Sequence, residues 1–246
     1  MTAAGSVRLE VVDEQAFGRA AATAVLRELP TRKPRLGVAT GGTPVPLYRE
    51  LARKVREHEL DLRGAAVAAL DEYVGLDQAD PHSYSRYVRT LIAEPLDIPD
   101  ANVLVPDGGA ADPQAAASAF DRRLEALGGV DVQIVGIGTN GHVGFNEPGS
   151  PLDSATRVVT LSEQTRSDNA RFFGDRTAAV PTLAITQGLA TILRARTIVL
   201  VATGIAKATA LAAALQGSVC AEVPASVLQR HPRLTVIADR MAASKL

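Results

Sequence analysis

VQIVGIGTNGHVGFNEPGSP, residues 132–151, runs from an apolar strand-like segment into a loop, and its reading decides the fold. Gly136, Gly138 and Gly141 stand in the G-x-G-x-x-G spacing of a dinucleotide site. In a Rossmann unit the third glycine opens a helix that crosses back to the next strand. Here Gly144, Pro148, Gly149 and Pro151 leave no room for that helix. Two readings remain, a loop that only turns the chain and a loop that carries a site. His142 and Glu147, in the same loop directly after an apolar strand, favour the second.

Outward from this loop, β-rich runs alternate with helical patterns. SVRLEVV alternates Val7, Leu9 and Val11 like an edge strand, and Asp13 is placed to cap a helix with Phe17, Ala21, Val25 and Leu29 on one face, stopped by Pro30. RLGVA, GAAVAAL, NVLV, RVVTL, TLAIT, TIVLVAT and LTVIAD read as further strands. Helices are expected over 44–55, with Tyr48, Leu51 and Val55 aligned, and over 83–92, with Tyr84, Val88 and Leu91 aligned. Asp112 and Pro113 open another that ends near Gly128 and Gly129, and shorter helical stretches are expected around 163–173, 205–215 and 225–230. The pattern predicts one α/β domain over 1–246, three-layered and Rossmann-like, with a mainly parallel sheet.

Composition narrows the function classes. With 46% hydrophobic and 22% charged residues the chain reads as globular, and 26 basic against 27 acidic residues give no global field for nucleic acid or an anionic membrane. An anionic ligand must then be caught locally. MTAAGSVRLEVV lacks the pattern of a leader, no segment matches a membrane span, and Cys220 is the single cysteine. A cytoplasmic protein is expected, with Cys220 a small buried apolar residue.

Ligands of open α/β sheets bind beyond the carboxyl ends of the strands, where helix N-termini offer free amides. Four segments leave expected strand ends carrying chemistry. TGGTP offers the backbone amides of Gly41 and Gly42 and the hydroxyls of Thr40 and Thr43, which suit a phosphate but also a plain tight turn. Asp71 opens DEY after GAAVAAL, as a base or as a cap. Asn140, His142 and Glu147 follow VQIVGI. Lys207, in TGIAK, lies in the first turn of its helix, where a cation is disfavoured unless an anion sits beside it. Together these describe a site of sugar-phosphate size with a carboxylate and an imidazole. His58, His82 and His231 have no ligand spacing around them, so no metal is expected.

TGGTPVPLY, LDEYVGL followed by PHSY, GIGTNGHVGFNEP, TRSDNARFF and TGIAKATAL occur in this order over nearly the whole chain, and in them the chain resembles the glucosamine-6-phosphate deaminase family. The resemblance implies conversion of glucosamine 6-phosphate and water into fructose 6-phosphate and ammonia without a cofactor. It implies Asp71 as the base that carries a proton from C2 to C1 through an enediol-type intermediate. It also implies His142 assisting ring opening, Glu147 tuning or orienting His142, and the TGGT loop, Arg171 and Lys207 holding the phosphate. Those residue types suit the steps: one carboxylate serves adjacent carbons, and a near-neutral imidazole exchanges protons at the ring oxygen. Asn140 departs from the family, which often carries an aspartate there. It is expected to orient the imidazole by a hydrogen bond but not by charge, with Glu147 as the only nearby anion.

Three alternatives stand beside this reading. A galactosamine-6-phosphate deaminase/isomerase differs only in the C4 hydroxyl. A 6-phosphogluconolactonase is less favoured, because an aspartate before the Gly-His pair and no FNEP would be expected. A sugar-phosphate sensor would need a DNA-binding segment, for which neither a basic patch nor spare N-terminal length is read. One branch of the family is hexameric and activated by N-acetylglucosamine 6-phosphate through basic residues on the strand after FNEP and a longer C-terminal tail. Here Arg157 is present, Val159 stands where that branch has a lysine, and Leu246 follows LTVIAD closely. Hyperbolic kinetics and a monomer or small homo-oligomer are expected.

Overall fold

The computed structural model describes residues 7–246, so residues 1–6, Ser6 and the first half of the stretch read for a leader among them, lie outside the described residues. Among the described residues ten strands form two sheets. The strands are β1 (Arg8–Val12), β2 (Arg35–Val38), β3 (Ala66–Ala69), β4 (Asp71–Tyr73), β5 (Val103–Leu104), β6 (Val132–Gly136), β7 (Arg157–Thr160), β8 (Leu183–Thr186), β9 (Thr197–Ala202) and β10 (Leu234–Asp239). The helices are α1 (Glu14–Glu28), α2 (Val45–Arg56), α3 (Tyr84–Val88), α4 (Pro113–Leu127), α5 (Glu163–Asn169), α6 (Leu189–Leu193) and α7 (Ala208–Gln216).

Seven strands make a parallel sheet in the order β1-β10-β9-β6-β2-β3-β5, flanked by helices. Its central strands carry no polar face: every residue of β9 and β10 is buried, as a sheet covered on both sides requires. Because the strands are parallel, the loops after β2, β6 and β9 leave from one rim. After β6 no helix forms before β7, so the dinucleotide reading of the glycine spacing fails structurally as well.

The second sheet, β4-β8-β7, is antiparallel. DEY, expected only as a segment leaving a strand end, is itself a strand whose Asp71 pairs with Thr186. A separate apolar cluster of Tyr73, Phe145, Leu161, Ala170, Phe173, Val180 and Ala184 covers this sheet.

Several local expectations are refined. Asp112 caps α4 by accepting from the Gln114 and Ala115 amides, with Pro113 in the first turn. Asp13 sits at the α1 N-cap position, but its carboxylate pairs with Arg240 at 2.6 Å instead of capping. The α-helix beginning at Tyr84 ends at Val88 and continues as a π turn over Arg89–Ala93. The wider turn rotates the register, so Ile92 is buried and Leu91 is 48% exposed. Lys207 closes a 3-10 turn and occupies the N-cap position of α7, residues 224–230 form a 3-10 helix, and α6 has no counterpart in the sequence reading. β1 is an edge strand as expected, yet Val7, Leu9 and Val11 face solvent. Cys220 is half-buried, not buried, and its N–H donates to Ser226 Oγ.

Candidate active site

One cavity of about 630 Å³ is lined by Thr40, Gly41, Gly42, Thr43, Asp71, His142, Arg171 and Lys207. Segments far apart in the chain converge there because β2, β6 and β9 end at one rim and β4 turns Asp71 toward it. Tyr84, Thr165, Asp168, Asn169 and Phe172 complete the wall. The sequence reading had Tyr84 only as a helix-face residue and gave the others no individual part.

Asp71 is 3% exposed, and burial, with the Glu72 charge beside it, pushes its carboxyl up to about 8. Glu72 is 1% exposed and accepts three backbone N–H groups: Tyr73 at 2.8 Å, Tyr84 at 2.9 Å and Ser85 at 2.7 Å. Burial raises it to about 7 against the opposing pull of those amides. Three donors stabilise the ionised form of Glu72, so the proton shared by the neighbours resides on Asp71.

Gly138 explains part of the glycine spacing. A Cβ there would meet the His142 ring at 2.3 Å, and its N–H donates to the His142 carbonyl at 2.9 Å. The imidazole thus packs onto bare backbone. Burial lowers the His142 pKa, opposed by Glu147, which favours a neutral ring.

Glu147 and Asn140 stand behind His142 rather than on the cavity wall. The Glu147 carboxylate accepts from Asn140 Nδ2 at 2.9 Å, from Ser162 Oγ at 3.0 Å and from Thr165 Oγ1. Its Oε2 lies 3.8 Å from His142 Nδ1, a nitrogen with no hydrogen-bond partner among the described residues. That is charge contact, beyond hydrogen-bond range. Asn140 differs from expectation: its Oδ1 accepts from the His142 main-chain N–H at 3.2 Å, and its amide orients Glu147, not the imidazole. The side-chain amide is spent on the stronger, charged acceptor. Glu147 is also not the only nearby anion, since Asp168 lines the cavity and acts on both His142 and Lys207.

Lys207 and Arg171 bring cations to the cavity wall. Burial and the neighbouring Arg171 charge lower the Lys207 pKa, while Asp168 opposes them. The Arg171 guanidinium lies 4.8 Å over the Phe172 ring. On the wall of the same cavity, the Gly41, Gly42 and Thr43 amides have no partner among the described residues. A cavity lined by bare amides, two cations, a carboxylate and an imidazole suits a phosphorylated polyol.

Comparison with known proteins agrees with this chemistry. Residues 13–237 match the family model described as glucosamine-6-phosphate isomerases/6-phosphogluconolactonase. A protein of Streptomyces coelicolor named glucosamine-6-phosphate deaminase is 53% identical over 96% of this chain and 91% of its own length. One of the same name from Cutibacterium acnes is 52% identical over 95% and 90%. Among solved structures, one described as a monomeric glucosamine-6-phosphate deaminase superposes with TM-score 0.93 at 37% identity, covering 97% of this chain and 100% of that one. A 6-phosphogluconolactonase from Trypanosoma cruzi, at TM-score 0.78 and 20% identity over 98% and 97%, shares the fold.

Proposed function

We propose, since this chain belongs to the glucosamine-6-phosphate isomerase/6-phosphogluconolactonase family, that it is an enzyme converting glucosamine 6-phosphate and water into fructose 6-phosphate and ammonia. The observation that carries the reading is the buried Asp71 on the wall of the same cavity that holds unpartnered amides and two cations. Relatives about 50% identical bear the deaminase name, whereas the lactonase likeness reaches only the fold.

In this reading the phosphate rests on Thr40, Gly41, Gly42, Thr43, Arg171 and Lys207. His142 moves a proton between the ring oxygen and the anomeric hydroxyl, kept near neutrality by burial against Glu147, which Asn140 orients. Asp71 takes the proton from C2 and delivers it to C1, leaving C2 as an imine that water hydrolyses to ketone and ammonia. A carboxyl raised by burial is a stronger base than an exposed aspartate. Residues 1–246 act as one domain in the cytoplasm, without cofactor, metal, nucleic acid or membrane partner, as a monomer or small homo-oligomer. No helix among the described residues is long and apolar enough to cross a membrane.

An assay for ammonia tests the reading, run on glucosamine 6-phosphate, galactosamine 6-phosphate and 6-phosphogluconolactone. Ammonia with stoichiometric fructose 6-phosphate from the first is expected. Turnover of the lactone alone would overturn it, and preference for the second sugar would move the specificity to the epimer.

A further inference from the structure

Behind the TGGT loop stand two phenol groups that do not touch the cavity. Tyr48, on α2, donates from its hydroxyl to the Ala39 carbonyl at 2.8 Å and accepts the Ala39 N–H at 3.1 Å. This fixes the end of β2 just before the loop. Tyr87, on α3, donates to the Gly41 carbonyl at 2.7 Å, although it is 46 residues away in sequence. Gly41, Gly42 and Thr43 line the cavity, whereas Tyr87 stands one place back from it, its ring 6.5 Å from that of the lining Tyr84. Burial raises the Tyr87 phenol to about 12, so it remains a donor throughout the neutral range.

A trans peptide points its carbonyl and its N–H in opposite directions. Holding the Gly41 carbonyl toward Tyr87 therefore turns the Gly42 N–H away from Tyr87, and that N–H, on a residue of the cavity wall, has no partner among the described residues. The Gly41 φ of +90° is open to glycine and lets this peptide plane swing, so the loop needs an external anchor to keep one orientation. We propose that Tyr87 is a positioning residue for the phosphate loop, holding the Gly42 amide aimed at the substrate's phosphate. The inference rests on the deaminase reading for the identity of the phosphate's carrier, and on geometry for the rest. It also couples the phosphate loop to Asp71, because the N-terminus of α3 is tied by Glu72 to the strand that bears Asp71.

Tyr87→Phe keeps the ring and removes the anchor. The KM for glucosamine 6-phosphate should rise about 3- to 10-fold, the worth of one neutral hydrogen bond, with kcat within about two-fold. The inhibition constant of inorganic phosphate should rise by the same factor, and that of unphosphorylated glucosamine should not move. A purely structural role would weaken both ligands alike or lower kcat, and either result overturns the proposal, as does an unchanged phosphate constant. Should the variant be less stable, the melting shift induced by inorganic phosphate, read against each protein's own baseline, serves instead: an undiminished shift overturns the proposal. This readout needs no turnover. A wild-type protein inactive on glucosamine 6-phosphate would thus fail the functional reading while leaving the role of Tyr87 to be decided separately.

Discussion

Asp71 shows how a single side chain binds stability to chemistry. Its folded pKa of about 8 lies far above that of an unfolded aspartate, so the native state holds an extra proton between about pH 4 and pH 8. The resulting stability is complete below about pH 4 and is lost as pH rises toward 8, on the order of a few kcal/mol. Asp71→Asn removes that loss, so its melting temperature should exceed the wild type's by a margin that grows from pH 5 to pH 8. The same substitution should cut turnover by at least about 10²-fold and abolish deuterium exchange at C2 of the substrate. Exchange at the wild-type rate would remove Asp71 from the role of base. In the wild type, kcat/KM should climb with pH and level off near 8. Lys207 poses the mirror case, a cation at a helix N-cap with Arg171 beside it, where its charge is unfavourable until an anion arrives. Lys207→Ala should raise KM for the phosphorylated sugar about 10- to 100-fold without lowering the melting temperature of the free protein. Equal losses on free glucosamine would point to a folding role.

At the scale of elements, α3 is the strut of the site. Glu72 gathers the amides of Tyr73, Tyr84 and Ser85, while the Ser83 hydroxyl caps the same turn by accepting from Arg86. Glu72→Gln leaves only one acceptor oxygen for three donors and brings an amide NH₂ against a backbone N–H. Urea unfolding should register a loss of about 2–4 kcal/mol, and a change below about 0.5 kcal/mol would show that the carboxylate is not what holds β4 to α3. This arrangement was not legible in the sequence. The apolar runs TIVLVAT and LTVIAD, and the Asp112-Pro113 start of α4, are local signals and were read correctly. The segments TGGTP, DEY, GHVGFNEP and TGIAK, whose residues meet at the candidate site, were legible because each is chemistry at an expected strand end. What escaped depends on non-local pairing or on elements too short to show a period. A three-residue β4 has no alternation to detect, and its partner β8 lies over a hundred residues away. α6 spans barely more than one turn. The π turn after Val88 shifts the buried register without a proline or glycine to announce it. Asn140 bonds Glu147 rather than the imidazole because three donors converge on that carboxylate, and two of them, Ser162 and Thr165, come from the far side of β7 in sequence.

The whole molecule carries the last expectation, on assembly and regulation. On β7 the Arg157 guanidinium is spent internally, donating to Asn146 Oδ1 at 2.8 Å and Ser150 Oγ at 3.1 Å, and so it braces the loop that holds Glu147. Val159 packs on the cluster around Tyr73 and Phe145, and an apolar side chain offers nothing to a phosphate. An effector shifts an equilibrium only by binding two states unequally, and this strand supplies one committed arginine and a valine for the purpose. The edge of the main sheet does expose an apolar row, Val7, Leu9 and Val11, at 36–46%. Three partly exposed side chains fall well short of the roughly 800 Å² per partner of a stable interface, and Arg8 and Glu10 alternate with them along the strand as charges that discourage edge pairing. Sedimentation at micromolar concentration should therefore give a particle close to the 25.7 kDa of the chain. Substrate saturation should be hyperbolic and should stay the same when N-acetylglucosamine 6-phosphate is added. Sigmoidal curves that become hyperbolic with that compound, or a hexamer in sedimentation, would show that basic residues elsewhere, Arg166 or Arg176 among them, build an effector site that β7 lacks.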